Sequence, residues 1–159
     1  MGTTEIAAGL VLDRNALGNG TTALGFRRAL AALFRQSAPG VAVAGRLGED
    51  NFVVTGKPNM SYDVTGGGAV LVRSAAHGAY LVGHHQTINV TTDPTSGMNP
   101  RIDRIYLHQP DPGLDGPGTL PPAIIGVAVG VASPSPELPA IPVGALELRR
   151  KRIASNAVN

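Results

Sequence analysis

The sequence predicts a mostly β protein, an antiparallel β-sandwich of jelly-roll-like type with one N-terminal α-helix. The 159 residues include 21 Gly and 13 Pro, a composition that favours short strands and many turns. From Val41 onward apolar residues alternate with small or polar ones, which is the period of a strand with one buried face. Turn signals recur at roughly 8 to 12 residue intervals, the spacing typical of a sandwich.

Residues 1–40 are predicted to form an N-terminal arm and helix. The apolar run at residues 10–12 is either a strand or an arm that docks on a neighbour. Thr21 and Thr22 are candidate N-caps for the helix, and the turn at residues 37–40 ends it. Its apolar face either covers a sheet of its own subunit or packs against other helices about an oligomer axis. That face comprises Ala23, Phe26, Leu30, Leu33 and Phe34.

Residues 41–148 are predicted to form the sandwich. Short strands are expected near residues 52–54, 60–64, 69–73, 79–82 and 87–91, and a loop is expected at the three glycines 66–68. Residues 109–122, rich in Pro and Gly, are expected to form a surface loop. Residues 124–131 are continuously apolar and predict a strand buried on both faces.

The segment at residues 99–107 reads as a turn into a strand. Pro100 lacks an amide donor and biases Asn99 towards an extended conformation. Period-two alternation then places Asp103 on the same face as Ile105, where its carboxylate is costly to bury without a partner. Either an arginine pairs with Asp103 and fixes the register of the strand, or Asp103 is a binding or catalytic residue. Arg101 and Arg104 are the nearest partners in the sequence.

Charged residues make up 15% of the chain, against about 25% in a typical soluble domain. This favours a surface that meets other subunits, although a monomer rich in Thr, Ser and Gly would have the same composition. The one basic run is residues 149–152, within a predicted C-terminal tail at 149–159. It would contact solvent or an acidic neighbour; nucleic acid is an unlikely partner because the chain offers no other basic face and no Trp.

No cofactor, metal or catalytic site is predicted. His84 and His85 are neighbours in a strand and should point to opposite faces, while His77 and His108 have no carboxylate at a ligand spacing. The chain has no Cys, no phosphate-binding glycine motif and no nucleophile elbow. No apolar run is long enough to span a bilayer, and residues 1–12 lack the basic start of a signal peptide.

Several motifs in a fixed order resemble a known family. Residues 99–105 read Asn-Pro-Arg-Ile-Asp-Arg-Ile, which resembles the "NPRIDxI" signature of a β-domain in tail-tip, baseplate and fibre proteins of tailed bacteriophages. Residues 60–70 upstream, the apolar strand at 123–131, the Pro-rich run at 132–139 and Ala-Leu-Glu-Leu at 145–148 follow the same order as in that domain. The resemblance covers roughly residues 50–150. The basic run at 149–152 departs from it, because members of the family usually continue with "A-x-V-x-V".

The resemblance implies a non-enzymatic structural protein of a tailed-phage virion, made in the bacterial host cytoplasm. A minor tail, baseplate or fibre-base protein is expected, which acts as a homo-oligomer, with a trimer as the expected state, and has other tail or capsid proteins as partners. The resemblance gives Asn99, Pro100, Arg101 and Asp103 a structural role. Residues expected to make assembly contacts are Leu10, Leu12, Phe26, Leu30, Phe34, Arg149, Arg150, Lys151 and Arg152.

Three alternatives stay open. Because no long region follows the domain in this sequence, a capsid decoration protein on the phage head is the main one. A host-glycan-binding module would need an exposed aromatic platform built from Tyr62, Tyr80 or Tyr106. An enzyme acting on polysaccharide would need Asp103 or Asp63.

Overall fold

The computed structural model describes residues 21–95, 97–116 and 122–157. In this part the chain is mostly β, with antiparallel pairing throughout and two α-helices. The helices are α1 (Ala23–Ala31) and α2 (Pro112–Asp115), and a 3-10 helix spans Ala75–His77. The strands are β1 (Gln36–Ala38), β2 (Val41–Ala42), β3 (Gly45–Arg46), β4 (Val54–Lys57), β5 (Ser61–Val64), β6 (Gly67–Leu71), β7 (Tyr80–His84), β8 (Ile88–Thr91), β9 (Arg101–His108), β10 (Ile124–Ala128) and β11 (Leu146–Ile153).

The described strands form a two-stranded hairpin and three three-stranded sheets. The hairpin is β1-β2, and the sheets have the orders β3-β6-β7, β4-β5-β8 and β10-β9-β11. The central strand β9 pairs with β10 from Ile124↔His108 to Ala128↔Arg104. It also pairs with β11, with one irregularity in register between Glu147 and Arg149. No sheet of the described chain closes on itself.

The main core lies where the three sheets meet. Its largest fully buried apolar side chains are Phe52, Leu71, Ile105, Leu107 and Val64, which belong to all three sheets or to the loop before β4. Alternation explains this arrangement, because β9 buries Arg101, Asp103, Ile105 and Leu107 on one face and leaves the intervening residues half-buried. The three sheets therefore depend on one another for burial.

Helix α1 begins at a Thr cap, as the sequence predicts. The hydroxyl oxygen of Thr22 accepts a hydrogen bond from the amide of Gly25 at 2.9 Å. The helix ends at Ala31, before the predicted turn at 37–40, because residues 36–42 pair as the β1-β2 hairpin. Leu30 and Phe34 pack against a second buried cluster formed by Ala31, Ala42, Val70 and Ala79. The apolar face of the helix thus covers a sheet of its own subunit.

Two segments predicted as loops contain regular structure. Residues 112–115 form α2, because Asp111 caps the amide of Gly113 at 2.8 Å and Pro112 occupies the first turn. Gly67 and Gly68 belong to β6 instead of a loop. Glycine is needed there for close packing: a Cβ on Gly67 would lie 2.5 Å from the Cβ of Asn51. The prediction of a single, N-terminal helix is therefore corrected to two helices.

The prediction that residues 124–131 form a strand buried on both faces is wrong. Strand β10 is the edge of its sheet, and its residues are half-buried or exposed. Beyond it Val131 is 82% exposed. The central position that the apolar run suggested belongs to β9, whose pairs with β10 and β11 occupy both of its edges. An apolar run indicates that a strand is buried, but it does not indicate whether the residues that bury it belong to the same chain or to another one.

Candidate functional site

The signature segment forms a turn and the central strand β9. Asp103 is fully buried, and its Oδ1 accepts a hydrogen bond from Nε of Arg101 at 2.8 Å, while Nη2 of Arg101 lies 3.1 Å from Oδ2. Of the two candidate partners, Arg101 is the one that pairs with Asp103. Arg104 points to the other face and pairs with Glu147 at 2.6 Å. The geometry favours the ion pair that fixes register over a binding or catalytic role.

The Arg101–Asp103 pair connects three segments of the chain. The hydroxyl of Thr92, directly after β8, donates to Oδ2 of Asp103 at 2.7 Å. The amide of Gly130, two residues after β10, donates to Oδ1 at 3.2 Å. Arg101 in turn donates to the carbonyls of Asp93 and Pro94. These bonds compensate the desolvation of both charges, so removal of one partner would leave an unpaired buried charge.

Asn99 and Pro100 lie in the turn before β9, as predicted from the sequence. The carbonyl of Pro100 accepts a hydrogen bond from the amide of Ser133 at 3.0 Å. This bond ties the turn to the Pro-rich run that follows β10. Pro100, Arg101 and Asp103 therefore hold β9 to its neighbours.

The two carboxylates named as enzymatic candidates are both engaged in ion pairs. Asp103 is inaccessible to solvent. Asp63 lies 2.7 Å from Nζ of Lys57 and accepts a hydrogen bond from Asn89 at 2.7 Å. The hydrogen bond from Lys57 lowers the pKa of Asp63. A lowered pKa is the opposite of what a general acid needs, so Asp63 does not suit that role.

The histidines do not gather into a metal site. The rings of His84 and His85 lie 5.6 Å apart at their centroids, so the expectation that they point to opposite faces is wrong; His84 ends β7 and His85 follows it. His77 Nδ1 lies 2.5 Å from the hydroxyl of Ser74. His108 is buried, and burial lowers its pKa. No group of three metal-binding side chains occurs in the described residues.

A polar cluster that the sequence does not reveal joins α1, β7 and α2. Tyr80 donates its hydroxyl to Oδ2 of Asp111, and Arg27 lies 3.3 Å from the same oxygen and over the Tyr80 ring at 4.6 Å. The hydrogen bond from Tyr80 lowers the pKa of Asp111. Nearby, Arg73 forms a bidentate pair with Asp115 at 2.7 and 2.8 Å. No sequence pattern could have predicted the cluster of Arg27, Tyr80 and Asp111, because these residues lie far apart along the chain.

Part of the predicted assembly surface is used within the subunit. Leu30 and Phe34 pack on the second cluster, and Phe26 is half-buried. Leu33, two residues after the helix, is 76% exposed. Leu10 and Leu12 lie outside the described residues. The helical residues that were expected to contact a neighbour are therefore largely occupied by their own subunit.

The basic run belongs to a strand. Residues 149–152 lie within β11 and pair with residues 102–105 of β9, so the predicted boundary of a tail after residue 148 does not match the end of the strand at Ile153. Ile153 is buried in the core and anchors this end of β11. All four basic residues are exposed. They remain available for contacts, on an ordered edge instead of a tail.

One group of exposed apolar residues lies in β10 and in the segment after it. Ile124, Val129 and Leu138 are about two-fifths exposed, and Val131 is 82% exposed. A shallow depression of about 360 Å³ lies along residues 129–139. Together with the edge of β10, these four residues form what we call the β10 edge surface. An uncharged edge strand with exposed apolar residues is a feature of protein interfaces.

The tyrosines do not provide an aromatic platform. Tyr62 and Tyr80 are buried. Tyr106 is half-buried and covers Gly126, where an added Cβ would lie 2.6 Å from the tyrosine hydroxyl. The arrangement that a glycan-binding module needs is therefore absent from these three positions.

Comparisons of the chain with protein-family models, with curated proteins and with solved structures found no match. Within the described residues, no helix is long and apolar enough to cross a membrane.

Proposed function

We propose that this chain is a structural component of a tailed-bacteriophage virion, namely a minor tail, baseplate or fibre-base protein that acts through oligomeric assembly. The resemblance of residues 99–105 to the phage β-domain signature suggests the class. The observation that carries the assembly role is the β10 edge surface, where Val131 is 82% exposed next to an uncharged strand that lies at the edge of its sheet among the described strands. Contact with other copies or other virion proteins would remove that surface from water.

The proposal includes the sandwich that the sequence predicts. The sheets β4-β5-β8 and β10-β9-β11 would be its two layers, with the third sheet closing one end. Support comes from the shared core, in which Tyr62 and Val64 of one sheet belong to the same cluster as Ile105 and Leu107 of the other. Contact between β10 and β8 is also consistent with facing layers.

Fractionation of purified virions whose genome encodes the chain tests this function. Particles would be separated into heads and tails, and the chain quantified in each by mass spectrometry. Enrichment in tails supports the proposed location, whereas enrichment in heads would favour the alternative of a capsid decoration protein. Absence of the chain from both fractions would contradict a structural role in the virion.

A further inference from the structure

Among the strands that the structure describes, β11 has a free edge, and this edge carries an unusual amount of positive charge. In the sheet order β10-β9-β11 it is an edge strand, and Arg149, Arg150, Lys151 and Arg152 follow one another along it. Arg150 is paired with Glu147 at 2.5 Å. The ion pairs of the described chain do not include Arg149, Lys151 or Arg152.

An extra residue in β11 directs two of these charges to the inner face of the sheet. Glu147 lies opposite Tyr106, but Arg149 is opposite Ile105, so Leu148 is additional and forms a β-bulge. After the bulge Arg149 and Lys151 share the face of Ile105 and Asp103, which is the core face. Without the bulge, Arg150 and Arg152 would occupy this face instead. The bulge therefore determines which basic side chains face inward.

The inward-facing pair borders a groove between β11 and β4, which is also an edge strand. We call it the β4–β11 groove. It consists of two adjacent depressions of about 330 and 360 Å³ that share Gly56, Tyr62 and Lys151. Arg149 borders one of them and Lys57 the other. Each is near the lower end of the range of about 300–1,000 Å³ for ligand pockets, a size that suits single side chains entering from an extended chain.

We propose that the free edge of β11 binds an extended, acidic segment of a partner protein, whose inward-facing carboxylates enter the β4–β11 groove. The backbone of the segment would pair with the unpaired edge, and every second side chain would meet Arg149 or Lys151. Opposite charges on neighbouring strands stabilise the pairing. This inference rests on the proposed function in one respect, namely that the chain acts through contacts with other proteins.

The charge pattern also selects against two other occupants. A second copy pairing β11 with β11 would place basic residues beside basic residues, which is destabilising. For nucleic acid the argument is different: the basic residues could contact phosphates, but the stacking of bases that strengthens single-strand binding is not offered, because Tyr62, the aromatic residue that lines the groove, is buried. Basic residues on an edge strand can also serve only to prevent aggregation, and the experiment distinguishes that role from binding.

The test uses an eight-residue peptide of alternating Glu and Thr, matching the eight residues of β11, labelled with fluorescein. Anisotropy is measured against the full chain at low salt, beside peptides in which Gln or Lys replaces Glu. We expect saturable binding of the Glu peptide alone, weakened by added salt. Equal binding of the Gln peptide would show that the edge pairs without recognising charge, and no binding of any peptide would show that the basic residues only prevent pairing; either result would overturn the proposal.

Substitutions test whether the peptide binds at Arg149 and Lys151. The double variant R149Q/K151Q should weaken binding of the Glu peptide at least about tenfold. The variant R35Q/R46Q removes the same charge away from the groove and should bind as the unmodified chain does. Because a replacement could disturb β11, the reversed variant R149E/K151E is also tested, and it should bind the Lys peptide. Equal weakening by both Gln variants, or failure of the reversal in a chain whose circular dichroism is unchanged, would overturn the proposal.

A single-stranded oligonucleotide serves as competitor. Displacement of the Glu peptide at lower concentration than unlabelled peptide requires would assign the groove to nucleic acid and overturn the proposal. Virion fractionation is independent of these measurements. A chain found in tails that binds no acidic peptide would refute this inference and leave the proposed function intact.

Discussion

At the scale of single residues, the buried polar groups of this chain differ in how well they are satisfied. Asp103 is held by Arg101, Thr92 and the amide of Gly130. Tyr80 donates to Asp111. In contrast, the hydroxyl of Tyr62 is buried without a hydrogen-bond partner. Burial raises the pKa of both tyrosines to about 12.

The two tyrosines allow a matched prediction. Replacement of Tyr80 by Phe should lower the free energy of unfolding by about 1–3 kcal/mol, because a hydrogen bond to the charged Asp111 is lost. Replacement of Tyr62 by Phe should cost no more than about 0.5 kcal/mol, since its hydroxyl contributes no hydrogen bond and pays a desolvation cost. Urea unfolding of both variants measures this. A larger loss for Tyr62→Phe than for Tyr80→Phe would contradict the geometry described above.

The raised pKa values predict how stability depends on alkaline pH. Each phenol stays neutral in the folded state to a higher pH than in the unfolded chain, where its pKa is about 10. Its contribution is therefore complete below about pH 10 and is lost as the pH rises towards about 12. The double variant Y62F/Y80F should lose less stability between about pH 9 and about pH 11 than the unmodified chain does. An identical loss in both would refute this prediction.

At the scale of elements, β9 could be predicted well from the sequence and its neighbours less well. Period two and the Asn-Pro turn predicted β9 and the shared face of Asp103 and Ile105, and they left both Arg101 and Arg104 as candidate partners of Asp103; the structure shows that the partner is Arg101. The sequence did not predict that β10 lies at an edge, because the same apolar run would occur whether the residues that pack on the strand belong to this chain or to another chain. It also did not show that β11 continues through four basic residues, since the pairing with β9 and the bulge at Leu148 depend on tertiary structure.

The segment after β10 packs closely against β9, and this contact predicts how two Gly→Ala substitutions will affect stability. A Cβ on Gly130 would overlap the carbonyl oxygen of Ile102, whereas a Cβ on Gly83 in β7 would meet no atom within 4 Å. Gly130→Ala should therefore destabilise the fold by about 1–3 kcal/mol as an overpacked substitution. Gly83→Ala should change stability by no more than about 0.5 kcal/mol. Urea unfolding compares the two, and equal stability of the variants would contradict the packing around Ile102.

At the scale of the whole molecule, two edges with opposite character bound the sheet β10-β9-β11. The β10 edge surface is apolar, while the β11 edge is basic. The low charged fraction of 15% suggested from the sequence that much of the surface meets other proteins. The sequence could not show where, because the residues involved are adjacent only after folding. The helix expected to mediate contacts instead packs mainly on its own subunit.

A density map of the intact virion, at a resolution that shows contacts between chains, tests the central claim most directly. We predict several copies around the tail, each with its β10 edge surface covered by another chain, so that Val129, Val131 and Leu138 are buried. A particle that lacks the chain, or that carries it with this surface open to solvent in every copy, would contradict the account.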